Sequence, residues 1–381
     1  MYMRKKICFV VSTPATAKAF LSNHIKELSR FYDVYLVANI AENENILLDL
    51  PVIEIKNVPI YRKINIFKDI KSLVLLKKYF SENKFDVVHS VTPKAGLIAM
   101  LSAKLAKVKH RIHIFTGQVW HTQSGFMKRL LMFLDKCIVW SATDILVDGA
   151  SQRHFLIENK IIKESNSKVL GKGSINGVDT DIFVPNINIA KEVREELNID
   201  EDSIVFMFLG RLNKDKGIID LVDAFIILKK KYANIRLLII GPDEENIITQ
   251  IKSKYNELDS IVFYGATSFP YRMLQACDVF CLPSYREGFG TSVIEASLLE
   301  KPIICSDTYG LKETIIENKT GLRHKVGDVD SILKAMHFYI YDDKSRILFG
   351  RNGRKYVLEN FSGKMLVEKW VQFYKELMND V

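Results

Sequence analysis

The sequence has few cysteines, no long hydrophobic run and no low-complexity segment, and each absence argues against a class of protein. Its five cysteines are scattered along 381 residues, and only Cys277 and Cys281 lie close together. Neither a disulfide-stapled scaffold nor a zinc site built from cysteine pairs is indicated, and we expect free thiols in the reducing cytoplasm. No stretch approaches the roughly 18 apolar residues that a membrane-spanning helix needs.

The first apolar run is also too short to direct secretion. Residues 7–11 follow a basic triplet, as the apolar core of a signal peptide does, but they number only five. Such a core needs roughly 7–15 residues, so we interpret the run as a first buried strand. Apolar residues make up 48% of the chain and charged residues 26%, which is the balance of a folded globular protein.

Acidic residues are scarce in the first half of the chain. Residues 1–180 hold 27 Lys and Arg against 15 Asp and Glu, whereas residues 181–381 hold 27 against 30, and the net charge is +9. This asymmetry indicates that the first half meets something anionic, such as a phosphorylated substrate or lipid head groups. A lysine-rich codon bias is the alternative explanation. No nucleic-acid-binding motif accompanies the charge, so we expect no nucleic-acid partner.

Short apolar runs rich in Val and Ile alternate with helical segments along the whole chain, with predicted helices over residues 17–31 and 243–255 among them. This alternation predicts an α/β fold with two doubly wound, Rossmann-like domains. We place the N-terminal domain at 1–180, a linker at 181–190, the second domain at 191–360 and a C-terminal helix at 361–381 that packs back on the first domain. Ligands of such sheets bind beyond the carboxyl ends of the strands, so we expect a cleft lined by strand ends.

The most informative motif follows a predicted strand of the second domain, where residues 283–296 read PSYREGFGTSVIEA. A turn opens a helix whose first N–H groups suit an anion or sugar oxygens. The turn consists of Gly288, Phe289, Gly290 and Thr291. Glu287 precedes the turn and Glu295 lies eight residues later, so the two can address two parts of one extended ligand. The alternative is an ordinary helix start with two solvated glutamates.

A second motif, GRLNKDKG at residues 210–217, follows the first predicted strand of the same domain. Arg211 lies at the strand end and Lys216 lies before the next helix. A planar guanidinium and a point charge together suit a diphosphate, and the alternative is an exposed basic turn. The segment is not a Walker loop, because G-x-x-x-x-G-K-[ST] occurs nowhere in the chain.

Together, the two motifs resemble those of the retaining glycosyltransferases of family 4, which have the GT-B fold. The resemblance extends to PIICSD at 302–307, TGL at 320–322 and NGVD at 176–179, so it covers nearly the whole chain. It implies two Rossmann-like domains that face each other across a cleft. It also implies the transfer of a sugar from a nucleotide diphosphate donor, with UDP as the expected nucleotide.

The resemblance assigns roles to the motif residues. Arg211 and Lys216 would neutralise the donor diphosphate and stabilise it as the leaving group. Glu287 would hold hydroxyls of the donor sugar together with the backbone amides of the turn that follows it, and Glu295 would accept hydrogen bonds from the ribose. Glu287, Arg211 and Lys216 are therefore the predicted catalytic residues.

The N-terminal domain departs from the family pattern at two places. In HIFTG at 113–117, Thr116 replaces the histidine that usually precedes Gly117, and STPAT at 12–16 replaces a glycine pair. His113 and His121 are candidate substitutes for the missing histidine, although a buried structural histidine is the alternative for either. We predict that Thr13, His113, Thr116 and Gly117 lie on the side of the acceptor and the donor sugar.

Two Asp-x-Asp triplets, at 179–181 and 328–330, resemble the metal-binding pair of glycosyltransferases that have another fold. The first lies in the linker motif, and the second lies at a predicted helix start, where Asp caps N–H groups. We therefore expect no metal site and no cofactor other than the nucleotide-sugar substrate.

The implied function is that of a hexosyl- or N-acetylhexosaminyltransferase acting on a lipid-linked glycan in surface polysaccharide or lipopolysaccharide synthesis. The alternatives are a UDP-sugar 2-epimerase of the same architecture and a non-catalytic subunit that keeps the nucleotide site. Residues 61–80 carry six basic residues, one acidic residue and a wide apolar face. This favours a cytoplasmic protein that rests on the anionic inner face of the cytoplasmic membrane, with an ordinary core-packing helix as the alternative.

Overall fold

The computed structural model describes residues 4–40, 49–61, 65–256 and 258–379. The chain divides into two units, of which the first comprises residues 1–176 with 363–381 and the second comprises residues 177–362. The sequence analysis set the end of the first domain at 180 and the start of the C-terminal helical segment at 361.

The first unit is built on a parallel sheet that has seven strands in the part of the chain that the structure describes. The strands are β1 (Lys6–Val10), β2 (Asp33–Ala38), β3 (Glu54–Asn57), β4 (Val87–Val91), β5 (His110–Phe115), β6 (Asp144–Val147) and β7 (Ser167–Lys168). Their order across the sheet is β3-β2-β1-β4-β5-β6-β7. The strand order reverses between β1 and β4, which makes the ends of this pair the expected ligand position.

Helices cover both faces of this sheet. They include α1 (Pro14–Leu28), α2 (Ile66–Asn83), α3 (Pro93–Leu105), α4 (Gly125–Ser141) and α5 (Ala150–Glu158). Helices α2, α3 and α4 pack on one face with Cys8 and Val10 of β1, while α1 packs on the other face with Ile7 and Phe9. Because β1 is buried on both faces, it lacks the polar alternation of a half-exposed strand.

Local signals explain where these helices begin. Thr13 accepts a hydrogen bond from the backbone N–H of Thr16, and Pro14 fills the first turn, so α1 begins directly after the loop that follows β1. Asn65 caps α2 by accepting from the N–H of Lys68.

The second unit contains a second parallel sheet, of six strands among the described residues. The strands are β8 (Ile204–Leu209), β9 (Ile235–Ile240), β10 (Ile261–Gly265), β11 (Val279–Leu282), β12 (Ile303–Ser306) and β13 (Gly321–His324). The helices are α6 (Ile187–Glu196), α7 (Ile218–Lys229), α8 (Ile247–Lys254), α9 (Pro270–Gln275), α10 (Thr291–Leu298), α11 (Val329–Tyr341) and α12 (Asp343–Asn360). The strand order is β10-β9-β8-β11-β12-β13, so the order reverses at β8.

Helix α8 begins later than the sequence pattern predicts. The pattern predicted a helix from residue 243, but α8 starts at Ile247. The Asp243 carboxylate accepts from the N–H of Ile247 at 2.8 Å, and Asn246 has a φ of +55°. The loop after β9 is lengthened by these residues.

The last helix, α13 (Gly363–Met378), belongs to the first unit. Its Trp370 ring stacks on His24 and His89, with ring centroids 4.1 and 5.0 Å away. Tyr374 is buried and its hydroxyl lies 2.7 Å from Nδ1 of His89. This helix therefore closes the same face of the sheet as α1.

The α/β fold with two parallel-sheet domains, predicted from the alternation of apolar runs and helices, is confirmed. Among the residues that the structure describes, none of the helices is both long and apolar enough to cross a bilayer.

Candidate active site

Two loops of the second unit approach each other at the ends of β8 and β11. Gly217, with a φ of +66°, ends the first loop, and a Cβ atom there would overlap the carbonyl oxygen of Pro283. The backbone N–H of Tyr285 donates to the carbonyl of Asp215 at 2.8 Å. The guanidinium of Arg286 donates to the Asp215 carboxylate at 2.7 Å. The two predicted motifs are therefore joined by direct contacts.

Lys216 and Glu287 form an ion pair between these loops. Their side chains are only 17 and 12% exposed, so the pair is shielded from most of the solvent. The Ser284 hydroxyl also donates to Glu287 Oε1, at 2.8 Å. A carboxylate from the motif at 283–296 therefore contacts a lysine from the motif at 210–217. One extended ligand can reach both motifs here.

Arg211 has a different partner, which the sequence analysis did not identify. Its Nη1 lies 2.8 Å from Oε2 of Glu244, in the loop after β9, and Asn213 donates to the same oxygen at 3.1 Å. Arg211 is 43% exposed, so it is freer to move than Lys216. Glu244 could have been noticed because it also follows a strand.

The strand order explains both ion pairs. β8 lies between β9 and β11, so the loop after β8 has a neighbouring loop on each side. Arg211 pairs with the loop after β9, and Lys216 pairs with the loop after β11. The two cations therefore lie at the point where the strand order reverses, where doubly wound sheets bind their ligands.

Glu295 lies on α10 and differs sharply from Glu287. Its side chain is partly accessible, and no hydrogen bond or ion pair to it is present among the described residues. Surrounding protein atoms desolvate the carboxyl and raise its pKa to about 8. A carboxyl group without a partner in such a place is available to accept hydrogen bonds from a ligand.

The turn between these glutamates is held close to the following loop. A Cβ atom at Gly310 would overlap the carbonyl oxygen of Glu287, and one at Gly290 would overlap the side chain of Leu311. Phe289 is buried and packs against Phe361, with ring centroids 5.3 Å apart. No side chain caps the start of α10, and the N–H groups of Thr291 and Val293 donate to the carbonyls of Phe289 and Gly290, both at 2.9 Å.

In the first unit, Thr13, Thr116 and Gly117 lie just beyond strand ends. Thr13 follows β1, and its Oγ1 accepts from the N–H of Thr16 at 3.3 Å. Thr116 and Gly117 follow β5 and are partly exposed. The Thr116 carbonyl accepts hydrogen bonds from the amides of Gln118 (2.7 Å) and Gln152. All three predicted residues are therefore at the edge where ligands of this sheet would bind.

His113 lies within β5 and is completely buried. Its Nδ1 lies 2.8 Å from the Ser90 hydroxyl, and burial lowers its pKa to about 3. The ring packs directly against Gly96, and it fits there because Gly96 has no side chain. This position among core side chains does not support the role predicted for His113 at the sugar. His121 is partly exposed and packs edge-on against Phe155 at 5.0 Å.

One buried carboxyl of the first unit escaped the sequence analysis. Asp148 directly follows β6, and burial raises its pKa to about 8. Its Oδ1 has no hydrogen-bond partner among the described residues. Like Glu244, Asp148 could have been recognised in the sequence because it directly follows a predicted strand.

Both Asp-x-Asp triplets have capping geometry. Asp179 accepts from the backbone N–H groups of Asp181 and Ile182, at 2.9 and 3.2 Å. Asp328 caps α11 by accepting from the N–H of Ser331 at 3.1 Å. Each first carboxylate therefore satisfies backbone N–H groups of its own turn.

Comparison with known proteins places the chain in a family. Residues 190–356 match the family described as Glycosyl transferases group 1, and residues 6–146 match Glycosyl transferase 4-like. The chain is 33% identical over 326 residues to the capsular polysaccharide biosynthesis glycosyltransferase CapM of Staphylococcus aureus, covering 85% of each chain. It is 26% identical to the UDP-Gal:alpha-D-GlcNAc-diphosphoundecaprenol alpha-1,3-galactosyltransferase of Escherichia coli, covering 83% of this chain and 82% of that one.

Solved structures agree on the fold. HepE of Anabaena, in complex with UDP and glucose, superposes with a TM-score of 0.81 at 15% identity and covers 98% of this chain and 100% of its own. Sucrose-phosphate synthase of Thermosynechococcus elongatus has the same TM-score at 20% identity, covering 99% of this chain and 100% of its own. With these matches and the two parallel sheets, the chain belongs to the Glycosyl transferases group 1 family and is a glycosyltransferase of the GT-B fold.

Proposed function

We propose that this glycosyltransferase transfers a sugar from a UDP-linked donor to a lipid-linked glycan, with retention of the anomeric configuration. The observation that carries the proposal is the set of charges at the ends of β8, β9 and β11. Arg211 and Lys216 are each held by a carboxylate, and the desolvated Glu295 has no partner among the described residues. Such a set suits a ligand that carries both phosphates and hydroxyl groups.

The two cations would bind the donor diphosphate. Each is now neutralised by a glutamate, and phosphate oxygens would replace those glutamates when the donor binds. Arg211 offers a planar fork and Lys216 a point charge, and together they would stabilise the negative charge that develops on the leaving diphosphate. At the start of α10, which no side chain caps, the Ser292 N–H would add one backbone donor.

The two glutamates would bind the hydroxyl groups of the donor. Once phosphate engages Lys216, Glu287 is free to accept hydrogen bonds from the sugar. Glu295 would accept from the ribose hydroxyls. A desolvated carboxylate gains more from such bonds than an exposed one, because it has already lost its water.

The chemical step needs no protein nucleophile in this proposal. The acceptor oxygen forms a bond to the anomeric carbon while the bond from that carbon to the diphosphate oxygen breaks. The acceptor proton passes to the departing diphosphate on the same face. We propose that no metal ion is required, because Arg211 and Lys216 are placed to meet the phosphate charge.

The acceptor class is supported by the relatives' names and by the first unit. CapM is named for capsular polysaccharide biosynthesis, and the E. coli relative is named for a diphosphoundecaprenol-linked sugar. In this chain, Thr13, Thr116 and Gly117 would face the acceptor at the ends of β1 and β5. All five cysteines are free, which fits a cytoplasmic protein.

A panel of nucleotide sugars tests the donor site. We expect a UDP-sugar to raise the unfolding temperature, since a ligand at 100 times its Kd adds about 2.7 kcal/mol. The stabilising donor is then incubated with an undecaprenyl-diphosphate-linked monosaccharide, and the anomer of the product is read by NMR. A retained linkage is expected.

The same experiment can overturn the proposal. Release of an epimerised sugar without acceptor would identify a 2-epimerase instead. Donor binding without turnover on undecaprenyl-diphosphate-linked acceptors would identify a non-catalytic subunit. Inversion at the anomeric carbon would refute the proposed same-face step.

A further inference from the structure

Two hydroxyl groups meet where the strand order of the first unit reverses. Ser12 follows β1, Thr92 directly follows β4, and these two strands are neighbours in the sheet. Ser12 Oγ lies 2.9 Å from Thr92 Oγ1, so one hydroxyl donates to the other. Ser12 is buried, and Thr92 is half-buried. We call these two side chains the Ser12–Thr92 pair, and it lies where doubly wound sheets bind their ligands.

The backbone of Thr92 has a conformation that glycine adopts more easily. Its φ is +76° and its ψ is 145°, which lies outside the left-handed helical region that a few other residue types enter. A Cβ atom disfavours a positive φ, and a branched Cβ disfavours it most. Among the residues that the structure describes, Thr92 is the only β-branched one with a positive φ. Residues in such conformations cluster at ligand-binding sites.

Neighbouring residues explain only part of this conformation. Pro93 accounts for the ψ of Thr92, because a proline disfavours a helical ψ in the residue before it. The Thr92 carbonyl accepts from the N–H of Gly96 at 2.8 Å, so Thr92 is the residue at which α3 begins. Glycine would meet both requirements without strain. Neither requirement therefore explains why a threonine stands here.

The Thr92 hydroxyl does not cap the helix that follows it. A threonine at a helix start usually accepts from an N–H group of the first turn, but no side-chain cap is present at the start of α3. Thr13, at the start of α1, does cap, and its hydroxyl lies 3.0 Å from that of Thr16. Within the described chain, the hydroxyls of Ser12 and Thr92 have no hydrogen bond except the one between them. They are therefore available to a ligand.

The pair can donate and accept hydrogen bonds at the same time. Each hydroxyl has one proton and two lone pairs, and their mutual hydrogen bond uses one proton and one lone pair. A proton and several lone pairs therefore remain for a ligand. The hydroxyl groups of a sugar have the same double character, so they can be matched in both directions.

The nearby lysine of α3 is already neutralised. Lys94 stands two residues after Thr92 and forms an ion pair with Asp69 of α2. The side chains of this ion pair are only 13 and 21% exposed. The first turn of α3 therefore offers no unpaired cation to a phosphate. This favours a neutral, hydroxylated ligand for the Ser12–Thr92 pair.

We propose that Ser12 and Thr92 form a subsite that binds a hydroxyl group of the acceptor sugar. The positive φ of Thr92 directs its side chain towards Ser12, because the direction of the Cα–Cβ bond relative to the preceding strand depends on φ. The donor-binding motifs lie in the second unit, so the sugar bound in the first unit is that of the acceptor. The proposal rests on the proposed function in one respect, since it takes the acceptor to be a glycan.

Acceptor binding by matched variants tests the subsite. The probe is N-acetylglucosamine linked to undecaprenyl diphosphate, in detergent micelles, titrated into the full-length protein saturated with UDP. Thr92→Val keeps the branched shape but lacks the hydroxyl, so it should bind the probe about fivefold more weakly. Thr92→Ser keeps the hydroxyl and should bind like the wild type. The Kd for UDP should be the same in all three proteins.

Undecaprenyl diphosphate without a sugar separates the two parts of the probe. Its binding should be unchanged in Thr92→Val, because the pair is assigned to the sugar. An equal loss of affinity for the sugar-free lipid would assign the pair to the diphosphate and overturn the proposal.

Thermal unfolding tests the strain at position 92. Alanine is ordinarily more stabilising than glycine, but at a positive φ the order reverses. Thr92→Gly should therefore unfold at a higher temperature than Thr92→Ala, and both should bind the probe about fivefold more weakly. The matched control is the exposed Lys107, which follows the other end of α3 with a φ of +57°. Lys107→Gly should be more stable than Lys107→Ala, and both should bind the probe like the wild type.

The outcomes distinguish this proposal from the proposed function. Equal affinity of the wild type and Thr92→Val for the probe would overturn the subsite, whether or not the sugar is transferred. Weaker binding by Thr92→Val, together with no transfer by the wild type, would support the subsite and refute the proposed function. Failure of the wild type to bind the probe would overturn both.

Two further results would count against the subsite alone. If Thr92→Ser binds as weakly as Thr92→Val, the loss comes from the missing shape rather than from the hydroxyl. If Thr92→Ala is more stable than Thr92→Gly, the backbone is not strained and does not place the hydroxyl. Either result overturns the proposal and leaves the donor site as described.

Discussion

Replacing Glu295 with glutamine should stabilise the protein without ligand and weaken donor binding at the same time. Glutamine keeps the shape of the side chain but removes a charge that the fold desolvates and leaves unpaired. The raised pKa gives the sign of the effect. Between the ordinary value of 4.5 and about 8, the unfolded chain carries an ionised Glu295 while the folded protein keeps it protonated. Wild-type stability is therefore lost as pH rises through this window.

The size of the effect follows from the window. Each pH unit between 4.5 and 8 corresponds to about 1.4 kcal/mol of unfolding free energy. At pH 7 the variant can therefore be more stable than the wild type by about 3 kcal/mol at most. Because the side chain is partly accessible, water reduces this to about 1–2 kcal/mol. The stability that Glu295→Gln gains over the wild type should be near zero at pH 4.5, increase up to about pH 8 and stay constant above that pH. A domain of this size gains about 2–4 °C in Tm per kcal/mol.

Donor binding should show the opposite response. Ribose hydroxyls donate to the carboxylate, so wild-type affinity for UDP should rise with pH up to about 8, by at most tenfold per unit. In Glu295→Gln the affinity should be flat with pH and lower by about 1.5–3 kcal/mol at pH 8. Thermal unfolding and titration calorimetry at pH 5, 7 and 8.5 measure both effects. A variant that is less stable at pH 8.5, or that binds UDP as the wild type does at every pH, would refute the assignment of Glu295.

Three further predictions concern the same site. Lys216→Ala should weaken UDP binding by about 1.5–3 kcal/mol and leave Glu287 buried without its cation; an unchanged Kd by calorimetry would contradict the diphosphate role. Activity measured by UDP release should survive EDTA, because the phosphate charge is met by side chains, and a strict need for Mg²⁺ or Mn²⁺ would reopen the Asp-x-Asp triplets. Gly310→Ala should lower both stability and donor affinity, because its Cβ would overlap the Glu287 carbonyl and push the turn out of place; retention of wild-type Kd with a normal Tm would show that the turn tolerates the shift.

The role of His113 shows the limit of reasoning from a motif. The residue stands close to the family's glycine in the sequence, so it was a candidate for the missing histidine. Its side chain, however, points into the core beneath Gly96 and contacts Ser90. Strand alternation decides which face a residue occupies, but whether that face is open depends on the helix that packs there.

The exposed side of α4 shows a different limit. Its spacing of apolar residues predicts a helix but does not tell which side is buried, because apolar residues occur on both sides. Only packing against α3 decides that Phe126, Phe133 and Trp140 remain in solvent.

The sequence by itself determined the α/β fold and the two motifs. Periodicity and turn residues act over a few positions, so they can be read along the chain. The tertiary structure alone decided which carboxylate meets which cation. Glu244 and Glu287 are 43 residues apart, yet they flank one loop because crossover connections place β8 between β9 and β11. Such pairings depend on strand order, which is fixed by long-range packing and leaves no local trace in the sequence.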